Sequence, residues 1–167
     1  MLNRPVILVG PMGVGKSTIG KKLAKRLEVP FIDTDIVISD THGTPTEIFE
    51  KLGEREFRRI ESETIVNSMS VIAVIATGGG AVLTETSRVA FRDGTVVYLK
   101  TNGNHIRSRL KHGNRPLLKN GFEDWKRIYE ERKPIYKEVA DIEVDTSNNS
   151  LKGIVEEICN KLEAKDG

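Results

Sequence analysis

Gly10-Pro11-Met12-Gly13-Val14-Gly15-Lys16-Ser17-Thr18 fits the pattern G-x-x-x-x-G-K-[ST], the P-loop, and few motifs dictate their surroundings so strictly. Its glycines let consecutive backbone N–H groups turn inward around phosphate oxygens, because no Cβ blocks the approach. Lys16 is expected to set a positive charge on the β- and γ-phosphates and the Ser17 hydroxyl to ligate Mg²⁺. The nucleotide contacts expected from this loop are Gly13, Val14, Gly15, Lys16, Ser17 and Thr18. The flanks agree. Val6-Ile7-Leu8-Val9 is a short β-prone run leading into the loop. Ile19, Leu23 and Leu27 then recur at i, i+4 and i+8, with Ala24 beside them, as an amphipathic helix requires. The phosphates are thus expected at a helix N-terminus, where the dipole and free N–H groups favour anions. A chance glycine turn would not come with both a strand and a helix in place.

The 167 residues suit one domain, 1–167, long enough for a real core. Lys and Arg number 26 against 24 Asp and Glu, so nothing suggests a surface that coats nucleic acid. The single cysteine, Cys159, excludes an internal disulfide or a cysteine metal cage. It falls in a helical stripe with Leu151, Ile154, Val155, Ile158 and Leu162 and reads as a buried thiol. No apolar run is long enough to span a bilayer. A strand begins within a few residues of Met1, which leaves no room for a signal peptide. A cytoplasmic location and no membrane partner are the expectations.

Further along, Val29-Pro30-Phe31-Ile32 reads as a short buried strand ending in Asp33-Thr34-Asp35. Thr44-Pro45-Thr46-Glu47 is a helix start, with Thr as N-cap, Pro at N1 and Glu at N3. Ile48, Phe49 and Leu52 form its apolar side and Gly53 breaks it. A charged helix with Phe57, Ile60 and Thr64 on one face follows. Val71 to Ala76 is an apolar run of strand length that stops at Thr77-Gly78-Gly79-Gly80. The pattern then predicts a helix over 84–92, a strand over 95–99 and a short helix marked by Ile106 and Leu110. Residues 111–121 are polar and broken by Gly113, Pro116 and Gly121, which reads as a mobile flap. Phe122, Trp125, Ile128 and Tyr129 stripe another helix, limited by Pro134. A strand over 141–144 and a helix over 151–162 complete the chain. Strands alternating with helices imply a parallel sheet covered on both faces.

In such sheets ligands bind beyond the carboxyl ends of the strands. The P-loop, Asp33-Thr34-Asp35 and Thr77-Gly78-Gly79-Gly80 all fall there. Residues two apart on a strand share a face, so Asp33 and Asp35 are expected to point together at the phosphates. One would orient Mg²⁺ through water and the other accept the proton of a reacting hydroxyl. Helix capping by Thr34 and Asp35, which precede Ile36-Val37-Ile38, is the alternative reading, and the two are compatible. The triple glycine suits close backbone approach to a small substrate. Thr77 stands where a motor ATPase or GTPase would carry an acid, and no N-K-x-D occurs to read guanine. Arg58, with Glu61 at i+3 to hold it, Arg115 before Pro116, and Arg132 are candidates for binding carboxylate or phosphate.

Gly10 to Ala24, Asp33-Thr34-Asp35, Ile48-Phe49, Gly53-Glu54, Phe57-Arg58, Gly78-Gly79-Gly80 and Arg115-Pro116-Leu117-Leu118 together resemble the shikimate kinase family. Arg132 with Pro134 and Tyr136, then Val144-Asp145-Thr146, extend the resemblance over nearly the whole chain. It implies a three-layer α/β fold: a five-stranded parallel sheet in the order 2-3-1-4-5, with helices on both faces, as in P-loop nucleoside monophosphate kinases. It also implies ATP-dependent, Mg²⁺-assisted phosphorylation of the 3-hydroxyl of shikimate, in chorismate and aromatic amino-acid synthesis.

By the same resemblance, Asp35 would hold the reacting hydroxyl as base, and Asp33 with Ser17 would support Mg²⁺. Arg58 and Arg132 would clamp the shikimate carboxylate, with Gly78, Gly79 and Gly80 lining the ring. Lys16 and Arg115 would stabilise the moving phosphoryl group, Arg109 would pack on adenine, and Asn149 would lie on the adenine side. Residues 34–62 would form the substrate-binding helices and 109–121 a lid on a monomer. Two rivals remain, a gluconate-type kinase of the same fold and a non-catalytic module that keeps only the fold. Arg58 and Arg132 beside the acidic pair oppose the first, and the presence of Lys16, Asp35 and Arg115 opposes the second. Trp125 reads as core and His42, His105 and His112 as surface.

Overall fold

Val6, Ile7, Leu8 and Val9 are all fully buried, which requires cover on both faces of their strand. The computed structural model, which describes residues 1–110 and 118–166, shows how that cover is built. Strands β1 (Val6–Val9), β2 (Phe31–Asp33), β3 (Val74–Ala76), β4 (Thr95–Lys100) and β5 (Ile142–Asp145) lie in the order β2-β3-β1-β4-β5. Every pairing is parallel. The expected sheet order is borne out.

Alternation along the strands sorts the core into two layers. Val6, Leu8, Val97 and Leu99 face Ile19 and Leu23 of α1 (Lys16–Leu27) and Ile154, Ile158 and Leu162 of α7 (Leu151–Asp166). Cys159 is buried in that layer. Ile7, Val9, Val96 and Tyr98 face Ile65 of α3 (Pro45–Ser68) and the aromatic side chains of α6 (Phe122–Val139). A smaller cluster, Ile38, Ile48, Phe57 and Ile60, joins α2 (Thr34–His42) to α3. Two short helices, α4 (Glu85–Ala90) and α5 (Ile106–Leu110), are the others among the described residues. None of the described helices is long and apolar enough to cross a membrane.

Thr44 caps α3 as the sequence predicts, accepting from the Glu47 N–H at 3.2 Å, with Pro45 at the first helical position. Gly53 leaves helical geometry at φ 84°, so the expected break is there, inside a helix that resumes. Three expectations need correction. Val71 and Ile72 lie outside β3 and are exposed, because a turn closed by the Val71 N–H on the Ser68 carbonyl intervenes. Pro134 does not limit α6, which runs on to Val139. Proline forfeits one helical N–H, and the burial of Tyr136 beyond it holds the helix together.

The third correction concerns the two acids. Asp33 and Asp35 do not share a strand face. Asp33 ends β2 and caps α2, accepting from the Asp35 and Ile36 N–H groups at 3.0 and 3.3 Å, while Asp35 sits in the first turn of α2. Capping is therefore real, and it sits one residue earlier than Thr34.

Candidate active site

Gly15 begins α1 at φ 105° with no side-chain cap, leaving the first-turn N–H groups to face an anion. Lys16, buried, donates to the carbonyls of Gly10 and Pro11 at 2.6 and 2.9 Å and so lies along the loop itself. Ser17 and Thr18 follow on the exposed side of the helix start. The Ser17 hydroxyl donates to Asp33 Oδ2, the carboxylate oxygen not used for capping α2. One carboxylate thereby fixes the ends of two helices relative to each other.

Thr77 ties β3 to β1 through its hydroxyl, which donates to the Leu8 carbonyl at 2.8 Å. The triple glycine that follows is where the remaining candidates meet. A Cβ at Gly78 would lie 2.9 Å from Glu61 Oε2 and 3.3 Å from Asp35 Oδ1. At Gly79 it would lie 3.6 Å from Arg132 Nη1 and 3.2 Å from the Met12 nitrogen of the P-loop. At Gly80 it would overlap the Arg58 guanidinium. Each glycine therefore lets a different functional group close in.

Arg58 is held from its own helix, 2.9 Å from Glu61 Oε1 and 3.5 Å from Glu54 Oε2, with its guanidinium 5.2 Å from the Phe57 ring centroid. Glu61 is 1% exposed. Burial pushes its carboxyl above the usual carboxylate range against the pull of Arg58, and the charge of Asp35 adds to the rise. Among the described residues, Glu61 Oε2 has no hydrogen-bond partner.

Helix α6 presents Trp125, Tyr129, Arg132 and Tyr136 at helical spacing along one buried side. Tyr136 donates its phenol to the Gly79 carbonyl, and burial pushes that phenol up to about 12, so it stays a donor at neutral pH. Tyr129 shares a 2.7 Å hydrogen bond with the Tyr98 hydroxyl of β4. Trp125 is core as expected, yet its indole N–H also donates to the Met12 carbonyl at 2.7 Å. Sequence reading missed these last links. The stripe was legible, but carbonyl acceptors on distant loops leave no mark in a sequence.

On the other side of the P-loop a cavity of about 620 Å³ is lined by Gly13, Val14, Gly15, Thr18, Arg109 and Asn149. The two adenine-side candidates thus share a cavity with the loop. Arg109, read from the sequence as an adenine platform, donates to the Gly13 carbonyl at 2.6 Å. His42 and His105 are exposed. Arg115, His112 and most of the expected flap lie outside the described residues.

Comparison with known proteins follows the same lines. The family model described as shikimate kinase matches residues 12–163. A shikimate kinase from Thioalkalivibrio sulfidiphilus is 44% identical over 92% of this chain and 84% of that protein. One from Mycobacterium avium is 40% identical over 96% and 94% of the two chains. The solved structure of shikimate kinase from Acinetobacter baumannii in complex with shikimate superposes with a TM-score of 0.89 at 33% identity, covering 97% and 94%. A gluconokinase from Sinorhizobium meliloti, at 15% identity and a TM-score of 0.55, shares the fold alone. With the P-loop, the acidic pair and both arginines brought to one end of this sheet, the chain belongs to the shikimate kinase family.

Proposed function

We propose that this chain, acting as a single-domain monomer, transfers the γ-phosphoryl group of Mg-ATP to the 3-hydroxyl of shikimate. The observation that carries the reading is the convergence of Asp35, Arg58 and Arg132 on Gly78–Gly80, directly beside Met12 of the P-loop. Two guanidinium groups beside neighbouring glycines suit a carboxylate-bearing acceptor, and a carboxylate at the next glycine suits its hydroxyl. The shikimate bound to the Acinetobacter relative supports the same acceptor.

In this reading Arg58 and Arg132 hold the acceptor carboxylate and set the ring over the glycines. Asp35 receives the hydroxyl proton as the oxygen attacks the γ-phosphorus. The bond from that phosphorus to the β–γ bridging oxygen breaks, and ADP leaves. Lys16 exchanges its loop carbonyls for phosphate oxygens. Arg115, placed by the resemblance alone, adds positive charge to the moving group from the lid, 109–121. Arg109 and Asn149 border the space for the base.

Ser17 and Asp33 are adjacent hard oxygen donors, a chemistry that fits Mg²⁺. Among the described residues no group of three or more His, Cys, Asp or Glu forms a metal cage, which suits an ion that keeps water and phosphate ligands. When bound, Mg²⁺ neutralises phosphate charge during transfer. The decisive experiment is ADP release with Mg-ATP and shikimate, gluconate or quinate as acceptor. Stimulation by shikimate alone is expected. Turnover with another acceptor in its place would overturn the substrate, and no acceptor-dependent turnover would overturn the activity.

A further inference from the structure

Trp125 is the only tryptophan in the chain, 3% exposed, and its socket is tightly made. Its ring stacks on Phe122 with centroids 5.5 Å apart and planes 13° apart, and tilts against Tyr129 at 5.2 Å. Gly103, at φ 86°, leaves room for both rings, since a Cβ there would lie 3.1 Å from the indole and 3.6 Å from Phe122. A buried indole needs an acceptor for its N–H. Here the acceptor is the Met12 carbonyl at 2.7 Å, inside the P-loop.

That choice has a geometric consequence. A peptide group is planar and trans, so its C=O and the following N–H point in opposite directions. Pinning the Met12 carbonyl from outside the loop turns the Gly13 N–H the other way. The Met12 main chain is also bounded by Gly79, whose Cβ position lies 3.2 Å from the Met12 nitrogen. Met12 is thus held between α6 and the triple-glycine loop. We propose that Trp125 is a positioning residue for phosphoryl transfer, its indole N–H holding the Met12 carbonyl outward and so aiming the Gly13 N–H at the nucleotide phosphates. The inference rests on the reading of the P-loop as the phosphate cradle.

The test compares Trp125→Phe with a variant carrying an isosteric benzothienyl side chain at position 125, which keeps shape and stacking but has no N–H. Both should raise the KM for ATP about threefold to tenfold, the effect of losing one hydrogen bond to a buried carbonyl. The KM for shikimate should stay put, since Arg58, Arg132 and Asp35 are untouched. An isostere with the wild-type KM for ATP overturns the proposal, even if Trp125→Phe is crippled by lost packing. With ¹⁵N-glycine label, the wild-type Gly13 amide should shift on adding Mg-ADP, and its free-state position should differ in the isostere. A wild-type Gly13 amide that ignores Mg-ADP would instead overturn the cradle reading on which the proposal stands. An isostere whose free-state Gly13 amide matches the wild type counts against the positioning role alone.

Discussion

Glu61 meets Arg58 at 2.9 Å through one carboxylate oxygen and turns the other toward Gly78. The pair sits on successive turns of α3 and is almost wholly buried, so each charge depends on the other. Glu61 gives the guanidinium a fixed place over Gly80. Burial of its own carboxyl, with the charge of Asp35 adding to it, is why its ionisation is resisted.

That resistance has a sign. A carboxyl whose folded pKa is raised above its ordinary 4.5 favours folding fully below that value and loses the advantage as pH rises through the folded pKa. Glu61→Gln cannot ionise and should lack this component. Urea midpoints measured from below pH 4.5 upward should show the wild type losing stability relative to Glu61→Gln as pH rises. Parallel profiles for the two proteins would refute the assignment.

Arg58→Ala should act mainly on the acceptor. The clamp proposed for it would bind ground state and transition state alike, so the KM for shikimate should rise with a smaller change in kcat. A raised KM for ATP with an unchanged KM for shikimate would put Arg58 in the wrong subsite.

Asp35→Asn separates chemistry from binding. The amide keeps the size of the side chain but is a poor base, so kcat should fall by about 10² or more while ATP affinity, measured by titration, holds. Turnover at the wild-type rate would remove Asp35 from the mechanism.

Much of this site was legible before the fold was known, and the reason is chemical. Lys16, Asp33, Asp35 and the triple glycine each sit in a local motif of unusual residue types, whereas Arg58 and Arg132 took their roles from the family resemblance. What the sequence concealed was the environment. Asp33 looked like half of a strand pair because one residue at a strand–helix junction can serve either element, and only the capping N–H groups of Asp35 and Ile36 decide it. Trp125 looked like packing because periodicity reports which face is buried and says nothing of the Met12 carbonyl it finds there. Pro134 looked like a stop because the local cost of proline is visible and the burial of Tyr136 is not.

Gly80→Ala tests the closeness of the arginine. The backbone at Gly80 has φ −100°, which any residue adopts, so no backbone strain is expected. The new methyl would instead displace the Arg58 guanidinium, the end of a flexible side chain. The melting temperature should therefore change little while the KM for shikimate rises about tenfold, a displacement costing about 1.4 kcal/mol. An unchanged KM would mean that Arg58 works from another position.

Tyr136→Phe probes the triple-glycine loop from α6. Removing the hydroxyl leaves the buried Gly79 carbonyl without its donor, a loss of about 1–3 kcal/mol, while ring packing against Tyr98 at 5.2 Å is kept. Because the phenol titrates only near 12, the loss should be the same across neutral pH. Urea denaturation should show a lower midpoint for the variant. Shikimate affinity should fall with it, since Gly79 lies between Arg132 and Met12. A variant as stable as the wild type, with the same shikimate affinity, would mean that the Gly79 carbonyl finds another donor and that Tyr136 contributes packing alone.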